Sequence, residues 1–198
     1  MTGRYAKGRV RREDIIKAAA DAYAQAGYHQ ASLRDIARRA GISHAGLLYY
    51  FPTKEALLLA VLQRRDEVDA KREGLREPPG TEVVERLLSL AAHNSEHPGI
   101  VDLYARLAAE AISPDHPAHE YFVTHYRRAR ELAAESFDAL DRAGRLRDGV
   151  HPAQAAAAFI GLMDGLQVQW LADPSAVDMV ATLRFFVTSL LRDPGASR

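Results

Sequence analysis

The side chains best suited to chemistry are gathered in one run, residues 38–51, which reads RRAGISHAGLLYYF. His44, Ala45 and Gly46 give it a small, hydrogen-bonding leading end, and Tyr49 with Tyr50 places two phenol hydroxyls a turn later. Small residues let a helix backbone approach base edges in a DNA major groove, where an imidazole donates or accepts a hydrogen bond. Tyrosine hydroxyls reach phosphates. Ser43 is placed to cap the helix that carries these groups. Arg34 and Lys54, in the first turns of the preceding and following helices, would set cations and amide dipoles against the two strands of a duplex. This is the chemistry of recognition and not of bond making. The alternative for Tyr49 and Tyr50 is simple packing.

Catalytic motifs are missing. The chain contains no G-x-S-x-G, H-E-x-x-H, Walker A or strand-linked G-x-G-x-x-G run. It has no cysteine, which removes thiolate nucleophiles, disulfides and Cys-based zinc sites together. An enzyme is not expected, and neither is a cofactor. Asp115, His116, His119, Glu120 and His125 invite a metal reading, but Pro117 interrupts their helical presentation and no second cluster of clear spacing accompanies them. A solvated helix start is the expectation there, without metal.

A reading head of this kind needs a small core to hold it. Leu33, Ile36, Ala37 and Ala40 form one helical face, and Leu47 with Phe51 forms another; neither helix is long enough to stand alone. Gly41 permits the turn between them, Ala37 leaves room for a close crossing, and Ile42 plugs the junction. Ile15 and Tyr23 supply the third side. Helices are predicted over 12–26, ended by Gly27, and over 33–40, with Ser32 as N-cap and Asp35 where a capping box puts its acid. A third follows Ser43 and is closed by Pro52, and a fourth, capped by Thr53, continues to 76. Past the break EPPG at 77–80, longer helices are predicted over 81–96, 99–112, 118–143, 152–172 and 175–191. The fold class is all-α: a three-helix helix-turn-helix DNA-binding domain with its N-terminal arm, 1–52, then a larger helical domain, 53–198, whose helix 53–76 connects the two.

The chain is 198 residues long and 47% hydrophobic, enough to bury a real core. Its net charge of +0 conceals an asymmetry. Residues 1–65 hold 12 Lys and Arg against 5 Asp and Glu, leaving 14 against 21 for the remainder. A basic head on an acidic body suits a polyanion-binding module attached to something with another task. Arg4, Lys7, Arg9, Arg11 and Arg12 form a basic arm that either follows phosphates or remains a solvated tail. No signal peptide or membrane span is expected, and a cysteine-free chain fits the cytoplasm.

The run IIKAAADAYAQAGYHQASLRDIARRAGISHAGLLYYFPTKEALLLAVL, residues 15–62, resembles the DNA-binding domain of the TetR family of one-component bacterial transcriptional repressors. By that resemblance Arg34, Ser43, His44, Ala45, Tyr49, Tyr50 and Lys54 fall where the family touches operator DNA. Leu48 departs from the pattern, because the family usually places a phosphate-contacting Tyr there. Tyr49 or Tyr50 takes over that contact, or it is absent.

The helix over 152–172 is apolar nearly all round, so several of its faces must be covered. One cover is the same pair of helices from a second copy, meeting about a twofold axis through Phe159, Leu166, Val180, Leu183, Phe186, Val187 and Leu190. The other is a fully intrachain core. A symmetric operator needs two heads roughly 34–36 Å apart, which a homodimer supplies. Tyr104, Phe122, Tyr126, Phe159, Met163 and Trp170, with His93 and Asn94 as polar groups, could line a pocket for an apolar or amphipathic small molecule; they describe a plain core equally well. The resemblance implies that 53–198 is an effector-binding and dimerisation domain, in which a bound effector shifts the fourth helix and spreads the heads. Operator DNA, a second copy and an unidentified effector are thus the expected partners, and the expected function is a repressor released from a palindromic operator by that effector. An architectural or adaptor protein without ligand control, or a helical enzyme, is the alternative.

Overall fold

A computed structural model of the chain describes residues 2–74 and 83–192, with side chains over 8–74 and 85–192. Among the described residues there are nine α-helices and no strand: α1 (Thr2–Gln30), α2 (Leu33–Arg39), α3 (His44–Tyr50), α4 (Lys54–Arg72), α5 (Val83–Glu96), α6 (Pro98–Glu110), α7 (His119–Arg142), α8 (Pro152–Ala172) and α9 (Met179–Leu190). The all-α expectation holds. The break at 77–80 and the side chains of Arg4 and Lys7 lie outside the described residues.

Boundaries differ from the sequence reading where local hydrogen bonding had a choice. Helix α1 begins ten residues earlier than predicted and is broken at Gly27, whose φ of 77° and ψ of 160° are not helical; a last turn resumes beyond it, with the Ala31 N–H donating to the Gly27 carbonyl at 3.2 Å. Glycine is needed there because a side chain resists that backbone region. Helix α9 begins at Met179 and not at 175. Asp173 accepts from the Ser175 backbone N–H at 2.9 Å and from its hydroxyl at 2.7 Å, which spends 173–176 on a turn. Asp178 then caps the helix by accepting from the Ala181 N–H at 2.9 Å.

The chain divides into two compact units, Met1–Val68 with Asp102–Tyr121, and Asp69–Val101 with Phe122–Arg198. In the first, Ile15, Tyr23, Ile36, Leu47, Leu57, Leu58 and Leu62 are fully buried and join α1 to α4 in one core. Asp66 of α4 accepts hydrogen bonds there from the Tyr104 hydroxyl of α6 at 3.0 Å and the Tyr121 hydroxyl at 2.7 Å, and the Arg65 guanidinium lies 4.1 Å from the Tyr104 ring centroid. In the second unit α9 packs on both α5 and α8. Its core includes Leu88, Phe137, Phe159 and Leu183, with the Phe137 and Phe159 rings edge to face at 6.5 Å.

Helix α8 is long and apolar enough by length and composition to cross a membrane, which the sequence reading did not expect of any segment. Its apolar character has a use within the second unit, since Ala155, Ala156, Phe159, Ile160 and Leu166 are buried there. A carboxylate, Asp164, stands at its middle.

Candidate nucleic-acid interface

The head is built from caps outward. The Ser32 hydroxyl accepts from the Asp35 N–H at 3.1 Å and donates to the Asp35 carboxylate at 2.7 Å, while Arg38 donates to the other carboxylate oxygen at 2.7 Å. Helix α2 ends in a two-bond closure: the Gly41 N–H donates to Arg38 at 3.1 Å and the Ile42 N–H reaches back to Ala37 at 3.0 Å. That pairing requires a residue of positive φ at the turn, and Gly41 has φ 65°. The Ser43 hydroxyl then accepts from the Gly46 N–H at 3.0 Å and starts α3. A Cβ at Gly46 would lie 3.2 Å from that same Ser43 oxygen, so glycine keeps the cap close.

These caps fix which side of α3 faces inward. Leu47 and Phe51 are buried, as are Ile36 and Ala37, while Leu33, Ala40 and Ile42 are half-buried. The Arg12 guanidinium covers the Phe51 ring at 5.0 Å, so the part of the basic arm nearest the core is already engaged in packing. On the outer side Ser43, His44 and Ala45 are exposed and Tyr49 is 83% exposed, which leaves its hydroxyl free of any burial. The Tyr50 ring is half-buried and meets Tyr49 edge to face at 5.3 Å. Arg34 is exposed in the first turn of α2. Leu48 is half-buried and has no polar atom to offer.

Lys54 also has a task inside the protein's own fold. Its ammonium donates to the His29 carbonyl at 3.1 Å and lies 4.7 Å from the Tyr28 ring centroid, and burial lowers its pKa. The last turn of α1, cut off by the break at Gly27, leaves carbonyls without helical partners, and Lys54 satisfies one of them. One of its three N–H donors thus ties the start of α4 to the end of α1 at the surface. Tyr28 beside it has its hydroxyl pushed up to about 12 by burial and by Glu55, to which it donates at 3.3 Å.

The residues expected to line a pocket do not gather as one set. Tyr104 belongs to the first unit, bound to Asp66. His93 stacks on His97, with ring centroids 4.0 Å apart, and burial together with Arg72 holds it below the ordinary imidazole range. Asn94 is buried. Phe122 and Tyr126 do come together, 6.2 Å apart, and His125 joins them at 6.2 and 5.5 Å. Met163, Trp170 and Tyr126 are half-buried against the core of the second unit. Asp164, which sequence reasoning missed, receives a hydrogen bond from Tyr126, and burial raises its carboxyl above the usual range. The signal was present in the sequence, as a lone acid within FIGLMDGLQVQW.

Four of the residues expected at the dimer interface are corrected by burial. Phe159, Leu166, Leu183 and Val187 are sealed in the core of their own chain, because α9 packs on both α5 and α8. Val180, Phe186 and Leu190 are half-buried against the same core. What these helices leave outside is Phe185, 75% exposed, and Val168, 58% exposed, with open space beside Gly161 and Gly165. His116 and His119 are used to fold the loop before α7. His119 bonds the Ala111 carbonyl at 2.8 Å through Nδ1, and His116 accepts from the Ala118 N–H at 3.2 Å.

Comparison with known proteins agrees with this arrangement. Residues 15–61 match the model of bacterial regulatory proteins of the tetR family, and residues 81–192 match the model of the BetI-type transcriptional repressor C-terminal part. The HTH-type transcriptional regulator RutR of Escherichia coli is 48% identical over 54 residues, 27% of this chain and 26% of that protein, so the match spans about a quarter of the relative's length. A TetR transcription regulator from Haloarcula marismortui superposes with a TM-score of 0.81 at 19% identity, covering 93% of this chain and 100% of the other. A transcriptional regulator from Saccharomonospora viridis, solved in complex with choline, gives a TM-score of 0.78 at 23% identity, with 92% and 98% covered. With a family model matched over more than half its length and a helix-turn-helix capped as described, the chain belongs to the TetR family of bacterial regulatory proteins.

Proposed function

We propose that the protein is a homodimeric, cytoplasmic repressor that holds a palindromic operator and releases it when a small molecule binds the second unit. The observation that carries the DNA reading is the outward face of α3: His44, Ala45 and Tyr49 exposed, Arg34 exposed on α2, and every apolar residue that could compete for that face turned inward or half-covered. Ser43, while accepting at the cap, keeps its hydroxyl hydrogen for a phosphate, and Tyr50 supports Tyr49 from the side. Lys54 spends one donor on the His29 carbonyl in an exposed bond and keeps two more, so it stays in the contact set. Tyr49→Ala removes one hydrogen bond to a charged oxygen in each head, and at about 1.5 kcal/mol apiece the dimer loses roughly 150-fold in operator affinity. Anisotropy titrations on operator selected from genomic fragments measure this, and unchanged affinity removes Tyr49 from the interface.

The effector reading rests on Asp164. A carboxylate half-buried in an apolar helix, bonded to Tyr126 and set among Phe122 and His125, is suited to an amphipathic molecule with a positive head, because aromatic faces and one acid together stabilise a desolvated cation. The choline complex of the Saccharomonospora viridis regulator makes choline the first probe. Burial raises the Asp164 pKa, and a bound cation favours the ionised form. Choline affinity is therefore expected to rise as pH climbs through the folded-state pKa and to level off above it. Asp164→Asn should abolish both the affinity and the pH slope while operator binding persists. An equally strong response in that variant would place the effector elsewhere.

A further inference from the structure

We infer that His93, Glu96 and His97, in the last turn of α5 and the residue after it, form a binding site for a first-row transition-metal dication of the imidazole-preferring kind, Zn(II), Ni(II) or Cu(II). The observation is the placement of three donors on one helix edge, with ligand atoms all within 4.8 Å of one another. His93 and His97 are four residues apart, so their rings leave the helix on the same side, and Glu96 is three from His93. The ring centroids are 4.0 Å apart. Two nitrogens on one tetrahedral ion with bonds of about 2.0–2.1 Å lie roughly 3.4 Å from each other, so rotation of the exposed Glu96 and His97 side chains toward the half-buried His93 closes the set.

A second observation fixes the chemistry of one ligand. His97 Nδ1 lies 2.9 Å from the His93 carbonyl oxygen, which only accepts, so that nitrogen carries the hydrogen. The lone pair is then on Nε2. A ring N–H held by a backbone carbonyl is the usual outer support of a metal-bound histidine. Glu96 Oε2 is 4.0 Å from His93 Nδ1, and its side chain is 73% exposed, free to swing onto an ion. The nearby cation Arg72 is balanced by Asp69 at 3.5 Å and Glu73 at 2.6 Å, so it does not repel a dication strongly. Three protein donors leave a fourth position to water.

Occupancy would have a structural effect. The His97 carbonyl accepts from the Ile100 and Val101 N–H groups at 3.2 and 3.3 Å and so begins α6. An ion joining His97 to His93 ties the end of α5 to the start of α6. This is independent of the operator and effector readings, and it does not involve the His116 and His119 loop.

The test uses full-length protein without a histidine tag. Calorimetry with Zn(II) should give one ion per chain, and Cu(II) paramagnetic resonance should show nitrogen coupling from two imidazoles. His93→Ala and His97→Ala should each weaken binding by at least about tenfold, with a smaller loss for Glu96→Gln, and all three should retain the circular dichroism of the parent. His116→Ala and His119→Ala should bind as the parent does. Absence of binding at micromolar protein overturns the site, as does binding that survives loss of His93 or His97 or that follows His116 and His119.

Discussion

A Phe185→Glu variant is expected to be a folded monomer that has lost about 10²–10⁴-fold in affinity for a two-site operator. The position is suited to this because Phe185 is 75% exposed on α9 while its neighbours Leu183 and Val187 are buried, so a charge there meets solvent in the isolated chain and costs the fold little. In a twofold assembly built on α8 and α9 each copy would bring the same surface, and a Glu at its centre places two unpaired carboxylates in a covered apolar contact. Loss of the partner removes tethering of the second head, whose effective concentration supplies most of the operator affinity. Light scattering after gel filtration and anisotropy on full and half operators measure the two effects. A variant that stays dimeric puts the interface on another face, and a monomer that keeps full affinity refutes the two-head reading. Tyr49→Ala separates the causes, since it should weaken DNA binding in a protein that remains a dimer.

The dimer prediction concerns Phe185 and not the residues first expected, which shows what periodicity can and cannot supply. On α2 and α3 the apolar residues are few and the polar ones many, so Ile36, Ala37, Leu47 and Phe51 identified the inner face and left Tyr49 outside. Caps were equally legible: Ser32, Ser43 and Thr53 each accept a backbone N–H three residues on. Along α8 almost every residue is apolar. The stripe that faces the chain's own core and the stripe that faces outward then have the same composition, and Phe159 could not be told from Val168 by type. Lys54 illustrates a different gap. Its charge suggested phosphate; that the end of α1 also leaves the His29 carbonyl needing a donor is visible only once α1 is folded. Asp164 was hidden by the opposite effect, because a single acid within an apolar run contributes little to any periodic pattern, although burial raises its carboxyl above the usual range and Tyr126 donates a hydrogen bond to it.

Replacing Gly41 with Val should destabilise the head by about 3 kcal/mol. The cost is one of backbone and not of crowding. An added Cβ at Gly41 meets nothing within 4 Å, yet the residue holds φ 65°, where an ordinary L side chain costs about 1–2 kcal/mol and a β-branched one more. Relaxing φ to a negative value would break the two hydrogen bonds that close α2, from Gly41 to Arg38 and from Ile42 to Ala37, and would tilt α3 away from α2. The order of stability should therefore be Gly above Asn, Asn above Ala and Ala above Val, with Asn costing less than about 1 kcal/mol because its short polar side chain tolerates positive φ. A series in which Val melts with Gly would mean that the turn is not held in this conformation in solution. Operator affinity provides the second reading. Asn should retain it, while Val should lose it even at temperatures where the second unit remains folded, because Ser43, His44 and Tyr49 depend on that turn for their direction. A Val variant that binds operator normally would remove the turn from the recognition mechanism.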